Sequence, residues 1–498
     1  MGPTQELQAL FQQSFHYLLG MAATAGLGFI SLPIFTRVFT VSDYGTIDLV
    51  QRIGLFAVSL SKGGLQHAAL RFHDGVLFRA SPEMERRHYS TFLLSAAAIS
   101  AGVALVYSLV TLMGSGRWFG VELTSLLLLG GLLVGIRPVQ SILTSFLRAE
   151  ERTLEFVGVL LSNKAATILA ACALLLLFGA HPAAYFAGAA IAEGVVAGVL
   201  LHRVTRRSLV HWDSHDTDLM RAGLLFGLPL ISYEMAFVVL SSADRFLVRS
   251  LLDAQSLGYY SLACGLSQEL NALLIGPLQL AIVPIYLRLW STRGREETAA
   301  FLSAGLDAYW AVAAGICCLV ALCARHAVVV ISSAKFEPAA ALIPLLVFGM
   351  LVFTGHVIMC AGLFIEKRTG VIALIVLGGA ALDIALNVLL LPRLGLQAAA
   401  ISSAASGIAC TGGMWFASAK YLRLRLNFEA LAMYGGAAAA TWFALHRIDA
   451  GSALVTLLAR GAGGAILYGG LLWMMDRRVR RVWGELARWC SWRFSDER

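Results

Sequence analysis

Six polar side chains recur down one face of an otherwise apolar stretch: Asp48, Arg52, Ser59, Lys62, Gln66 and His73, at successive spacings of 4, 7, 3, 4 and 7 residues. At roughly 100° per residue in an α-helix they fall within an arc of about 80°. The other positions are mostly Leu, Ile, Ala, Val and Gly. Two cations in an apolar surround suit an anionic group such as a phosphate, which Arg and Lys hold best away from competing water. A polar stripe on such a helix either lines a water-filled cavity or is tied to neighbouring helices by hydrogen bonds. The first reading puts Arg52, Ser59, Lys62 and Gln66 on the wall of a path.

A second stripe holds Gly223, Gly227, Glu234, Ser241 and Arg245 within an arc of about 40°. Its glycines allow close helix approach. Glu234 lies near the middle of the segment. It either exchanges a proton as its surroundings alternate between wet and dry, or is a static partner of Arg52 or Lys62. Both readings stay open. A third segment offers Ser261, Gln268, Asn271 and Gln279 on one face without a cation, so the basic side of a shared cavity belongs to the N-terminal half. Arg37, Asp244 and Arg245 stand near segment ends, where snorkelling lowers the cost of charge. A structural or gating role suits them. Lys164, Glu193, Asp307 and Asp383 are single charges in other apolar segments, read as partners in helix–helix pairs.

These residues need membrane helices to position them. The 498 residues are 58% hydrophobic and 14% charged, with mean hydropathy +0.75. A soluble chain has about 25% charged residues. Apolar stretches of about 20 residues recur throughout, and about fourteen spans are expected. They lie near 16–38, 46–70, 90–113, 121–147, 155–178, 182–202, 222–248, 257–288, 299–324, 339–365, 369–391, 396–419, 429–446 and 453–475, with 325–338 ambiguous. The polar start Gln5 to Gln13 followed by Leu18 to Ile34 reads as a first span, not a cleavable signal. Arginines crowd one set of alternate loops, from Arg79, Arg86 and Arg87 to Arg423 and Arg425. This bias places both termini in the cytoplasm. The net charge of +8 then reflects membrane flanks, not nucleic-acid binding. Eight cysteines show no CxxC or His/Cys ligand pattern, so no metal or cofactor is expected. The tail Arg477 to Arg493, with Trp483, Trp489 and Trp492, reads as a basic amphipathic helix lying on anionic lipid.

The chain also repeats itself. Thr36-Arg37 and Asp43-Tyr44-Gly45 return as Asp244-Arg245 and Gly258-Tyr259-Tyr260. Arg148-Ala-Glu-Glu-Arg152-Thr153 returns as Phe364-Ile-Glu-Lys-Arg368-Thr369, and Ala187 to Ile191 as Gln397 to Ile401. The marks lie roughly 210 residues apart in one order. Six spans per copy is even, so the copies share an orientation and are related by an axis along the membrane normal. The expected fold is all-α: two pseudo-symmetric six-helix lobes, 1–204 and 219–425, joined by a cytoplasmic linker, 205–218, with two extra helices over 426–476 and a basic tail, 477–498. Spans one, two, seven and eight are expected to line the cavity between lobes.

Together with Gly64-Leu65, Arg71-Phe72 and Pro392-Arg-Leu-Gly395, these marks resemble the multidrug/oligosaccharidyl-lipid/polysaccharide exporter superfamily, within it the polysaccharide transporters. The resemblance covers about residues 16–475. It implies a flippase that moves undecaprenyl-pyrophosphate-linked oligosaccharide across a bacterial inner membrane. It further implies partnership with membrane lipids, a polysaccharide polymerase and glycosyltransferases. Substrate would then touch Arg52, Ser59, Lys62, Gln66, Glu234, Gln268 and Asn271, with coupling or gating at Arg37, Glu234, Asp244 and Arg245. No Gly-x-x-x-x-Gly-Lys-Ser/Thr loop is present, so the chain is not expected to hydrolyse ATP. Two rivals stand beside this reading. A drug or cation antiporter of the same superfamily would favour carboxylates and aromatics over a basic stripe. A membrane glycosyltransferase or ligase would be expected to show large extracytoplasmic loops with acidic residues, and here those loops are short.

Overall fold

The computed structural model describes residues 3–75, 78, 81–115, 120–274 and 276–476, with side chains from residue 19 onward except at 21, 233, 273, 274 and 276–281. The basic tail expected to lie on lipid falls outside the described residues. Among the described residues the regular structure is helical.

The helices are α1 (Pro3–Val38), α2 (Val41–Ser61), α3 (Leu65–Arg71), α4 (Pro82–Gly114), α5 (Val121–Ala149), α6 (Thr153–Phe178), α7 (Pro182–Arg206), α8 (Thr217–Leu251), α9 (Ala254–Leu274) and α10 (Gly276–Ala327). Then follow α11 (Ile343–Thr354), α12 (His356–Met359), α13 (Ala361–Ile365), α14 (Thr369–Leu394), α15 (Gln397–Ala419), α16 (Phe428–Leu445) and α17 (Ala453–Met475). Among the described residues each expected span lies on helix, spans two and ten in pieces, and α10 carries the end of span eight and all of span nine with a kink at Gly294 between them. Among the described residues eight helices are long and apolar enough to cross a bilayer, or nine when Ala334–Ala341 and Ile343–Met359, bent by 51°, are taken as one span. That layout is compatible with fourteen. Leu105, Val106, Leu109, Val110 and Met113 of α4 and Leu176 to Phe178 of α6 are exposed, an apolar surface that only lipid would cover.

Local chemistry sets the helix ends. Thr40 and Asp43 form a capping box at the start of α2, while Ser81 with Pro82 starts α4. Asp216 caps α8, accepting from the Asp218 and Leu219 amides. The repeated loop marks make the same turn twice. Glu151 (φ 59°) and Lys367 (φ 55°) are both left-handed, and α6 and α14 then begin at Thr153 and Thr369.

Span two departs from the expected single helix. Gly63 and Gly64 take φ of +58° and +68°, which ends α2 at Ser61 and starts α3 at Leu65. A Cβ at Gly64 would overlap the backbone of Gly227 in α8. The glycines therefore serve both the break and the close helix crossing. Gly45 likewise meets the backbone of Gly258 where α2 crosses α9, so two of the repeated glycines face each other. Span ten is also broken, into α11, α12 and α13. The ambiguous segment forms a π-helical turn over Val328–Ser332 and a 3₁₀ segment over Ala334–Ala341.

The chain falls into two compact units, Met1–Ala281 with Arg368–Ser406, and Ile282–Lys367 with Gly407–Arg498. In the first, α2 packs on α9 and α8 on α14. One core joins Leu65, Phe92, Leu143 and Phe146. Another joins Phe35, Phe39, Val50 and Phe186. The linker is docked on α4: the His211 amide donates to Ser90 Oγ and the Asp216 amide to Thr91 Oγ1, at 3.0 and 2.9 Å. In the second unit the last two helices pack on α10. The Tyr468 hydroxyl donates to the Ala311 carbonyl at 2.6 Å, and the Tyr434 hydroxyl to Asp476 at 2.9 Å.

Candidate functional site

The break in span two brings three of its polar side chains onto one carboxylate. Lys62 Nζ lies 2.8 Å from Glu234 Oε1, Ser59 Oγ donates to the same oxygen at 3.2 Å, and Gln66 Nε2 donates to Oε2 at 3.3 Å. Ser59 lies in the last turn of α2, Lys62 sits at the break and Gln66 lies in the first turn of α3, so Glu234 of α8 clasps both halves of the broken helix. Lys62 and Glu234 are half-buried, their side chains 21% and 28% exposed. Of the two partners the sequence allowed for Glu234, the structure selects Lys62.

Arg52 belongs to a second cluster. Its Nε pairs with Asp48 Oδ1 at 3.2 Å and its Nη2 donates to Gln268 Oε1 at 3.1 Å. Asp48 Oδ2 also receives Arg245 Nε at 2.7 Å, and Arg245 Nη1 donates to the Ser241 carbonyl at 2.6 Å. Arg245 is 1% exposed and heads the fully buried side chains by size. A buried guanidinium of this kind requires a counter-charge, and Asp48 supplies it across the α2–α8 contact. The Asp244 carboxylate, 3.6 Å from Arg245, accepts from the Tyr260 hydroxyl and from Ser403 Oγ. Asp383 of α14 is close enough for its charge to act on Asp244. Both Asp383 oxygens and one of Asp244 are buried without a hydrogen-bond partner. Two buried carboxylates so placed repel unless a shared positive charge lies between them.

A cavity of about 210 Å³ opens beside Arg52. Its wall includes Asp48, Gln51, Arg52, Tyr185, Gln268 and Glu269, with Lys164 from α6. Gln51 Nε2 donates to the Tyr185 hydroxyl at 2.6 Å. Lys164 makes no hydrogen bond or ion pair among the described residues, and Glu269 attracts it at longer range. Glu269 fits because Gly28 of α1 lacks a Cβ that would collide with the carboxylate. Arg52 stands 11 residues into α2 and Lys164 11 residues into α6. At 1.5 Å per residue each is about 16 Å along its helix, half of a hydrocarbon core about 30 Å thick.

The expected wall of spans one, two, seven and eight is met in part: the cavity is lined by α1, α2, α6, α7 and α9. Lys62, Ser59, Gln66 and Glu234 form their own cluster. Arg37 is exposed at the end of α1 and donates to the Pro33 carbonyl at 3.0 Å. Asn271 is half-buried near the end of α9, and the Gln279 side chain is outside the described atoms. Glu193 is paired as expected, through two 2.8 Å bonds from Arg137. Lys164 is not: it faces the cavity. Lys164 and Glu269 gave the sequence no signal beyond being charges in apolar helices, because neither belongs to a stripe.

The family model described as polysaccharide biosynthesis protein matches residues 10–290, more than half of the chain. The chain belongs to this family. Its fold is similar to that of the lipid II flippase MurJ in an inward closed conformation, with a TM-score of 0.76 and 12% identity over 94% of this chain and 99% of that chain. An inward-facing multidrug resistance MATE family transporter of the MOP superfamily matches with a TM-score of 0.61 and 12% identity over 82% of this chain and 94% of that one. A Vibrio cholerae MATE transporter matches with a TM-score of 0.56 and 13% identity over 83% and 96%. No curated protein matches. The all-helical membrane fold is thereby established for this family member, an integral membrane protein with a transporter fold.

Proposed function

We propose that this family member is a flippase for undecaprenyl-pyrophosphate-linked oligosaccharide, acting in polysaccharide biosynthesis at a bacterial inner membrane with both termini in the cytoplasm. The observation that carries the reading is the pair of cations, Arg52 and Lys164, on the wall of one cavity at mid-helix depth. Charge at that depth costs about 2.5–3.5 kcal/mol per residue to insert, and Lys164, which has only the longer-range attraction of Glu269, is placed to gain from an anion entering the cavity. A pyrophosphate offers two phosphoryl groups, one for each cation, while Gln51, Gln268 and Tyr185 supply hydrogen bonds to sugar hydroxyls. In the second unit a mainly apolar cavity of about 570 Å³ between α10, α11 and α16 suits part of a polyprenyl chain.

The six-helix repeats act as the two moving lobes in this scheme, and the chain performs no chemistry on its cargo. Glu234, clasping both halves of span two, couples the ion gradient to lobe movement, with Arg37, Asp244 and Arg245 as gating residues. Polymerase and glycosyltransferases of the pathway supply and consume the cargo.

The test is deletion of the gene with identification of the lipid-linked glycan that accumulates, followed by complementation. Arg52→Gln and Lys164→Gln should each reach the membrane and lose export. Full export by the double Gln variant, or no accumulated lipid-linked glycan, refutes the proposal.

A further inference from the structure

Where α5 ends and α6 begins, a cavity of about 350 Å³ opens beside the C-terminal turn of α7. It lies at the basic loops, away from the mid-helix site. Its floor is apolar: Phe146, Leu147, Leu200 and Leu209 line it and are buried. Its rim carries Arg152, Arg203, Arg206 and Arg207 against Glu150 and Glu155, an excess of two positive charges. The two glutamates are already engaged. Glu150 pairs with Arg152 at 2.9 Å and Arg207 at 3.5 Å; Glu155 pairs with Arg152 at 2.5 Å and Arg203 at 3.7 Å. Arg152 is thus neutralised twice over, whereas Arg203 and Arg207 are each held by one long contact, and their side chains are 62% and 51% exposed. Arg206 is exposed and makes no ion pair or hydrogen bond among the described residues.

We infer that this cavity binds the phosphate headgroup of an anionic membrane phospholipid from the leaflet on the side of the basic loops. The ligand must be acidic at one end and apolar at the other, because the rim has donors to spare and the floor has none. Arg203, Arg206 and Arg207 present planar donor pairs to the phosphate oxygens, and the leucines and Phe146 meet the glycerol end and first methylenes. Basic recesses between membrane helices at this level suit such headgroups. A lipid seated here would bridge α5, α6, α7 and the start of the linker.

The experiment uses the purified full chain in a neutral detergent. Binding is read by native mass spectrometry and by thermal unfolding as phosphatidylglycerol or phosphatidylcholine is added. Arg206→Gln is the first variant, since Arg206 is exposed and makes no ion pair or hydrogen bond among the described residues, so its loss should leave the fold intact. The triple variant Arg203→Gln, Arg206→Gln, Arg207→Gln follows, with Arg293→Gln, Arg295→Gln as a control on another basic loop. An arginine beside an anionic lipid surface is worth roughly fivefold in affinity. The single variant should therefore weaken phosphatidylglycerol binding about fivefold and the triple about a hundredfold, with the control unchanged. Equal phosphatidylglycerol binding by wild type and Arg206→Gln overturns the inference, as does equal loss in the control. Equal stabilisation by millimolar inorganic phosphate also overturns it, because the site would then take a free anion and not a lipid.

Discussion

Replacing Glu234 by Gln separates the two roles left open for this residue. The substitution keeps the shape and leaves one amide oxygen to accept in place of the two that Ser59 and Gln66 donate to, and removes the charge that holds Lys62 at 2.8 Å. Breaking a fully buried pair costs about 3–5 kcal/mol and an exposed one about 0–1. With side chains 21% and 28% exposed, the clasp falls between, at about 2 kcal/mol. Lys62→Gln should cost less, about 1 kcal/mol, because the carboxylate left behind keeps two donors and some water. The double variant should be more stable than the sum of the singles predicts, by about 1 kcal/mol. Thermal unfolding of the three variants in detergent measures the cycle, and glycan export is measured beside it. On the coupling proposal the double variant regains stability but not export, because the titratable group is gone. If it regains both, Glu234 is a static partner of Lys62 and the coupling role is wrong. If the effects simply add within about 0.3–0.5 kcal/mol, the clasp itself carries no energy and the reasoning from its geometry fails.

Asp48→Asn should destabilise by about 3–5 kcal/mol, since it removes a main counter-charge of the buried Arg245, and should be seen as lost expression or a lowered unfolding midpoint; a wild-type midpoint would show that Asp244 alone suffices. Burial pushes the Glu150 carboxyl up, but hydrogen bonds from Tyr89 and Arg152 and the charges of Arg152 and Arg207 outweigh it and hold Glu150 below the usual range. A lowered native value contributes stability that is complete above about pH 5 and lost as the pH falls below about 4. The gap in unfolding midpoint between wild type and Glu150→Gln should therefore close between pH 7 and pH 3; a constant gap would contradict this. Gly64→Ala should cost more than about 1 kcal/mol, from the left-handed φ and the overlap with Gly227, and unchanged stability would mean that the crossing yields easily. In a Cys-free variant, a Cys at Ser208 or Gly294 should resist an outside-only thiol reagent, and labelling at either would invert the proposed topology.

The amino-acid sequence alone determined the class of this protein and the course of its spans. Span positions follow from apolar runs because hydrocarbon forces each run into a helix, whatever surrounds it. The repeat was legible for the same reason: its marks sit at loops and crossings, where Gly45, Gly258 and the turn before Thr153 and Thr369 answer to local backbone demands. Polar stripes located the residues that meet in clusters, because a helix converts spacing into a face. What spacing could not decide was which faces meet. Lys62 rather than Arg52 reached Glu234 because Lys62 sits at the break made by Gly63 and Gly64, where Gly64 meets Gly227 of α8, while Arg52 is held by Asp48 and Gln268; a uniform 100° rotation ignores this. Arg245 read as a structural or gating residue near a span end, and its partner, Asp48 across the α2–α8 contact, was not legible from spacing. Lys164 read as a pairing residue and faces a cavity, since a lone charge says nothing of its azimuth until neighbouring helices are packed around it. Partner choice depends on contacts between helices far apart in the chain, and only the tertiary structure brings those faces together.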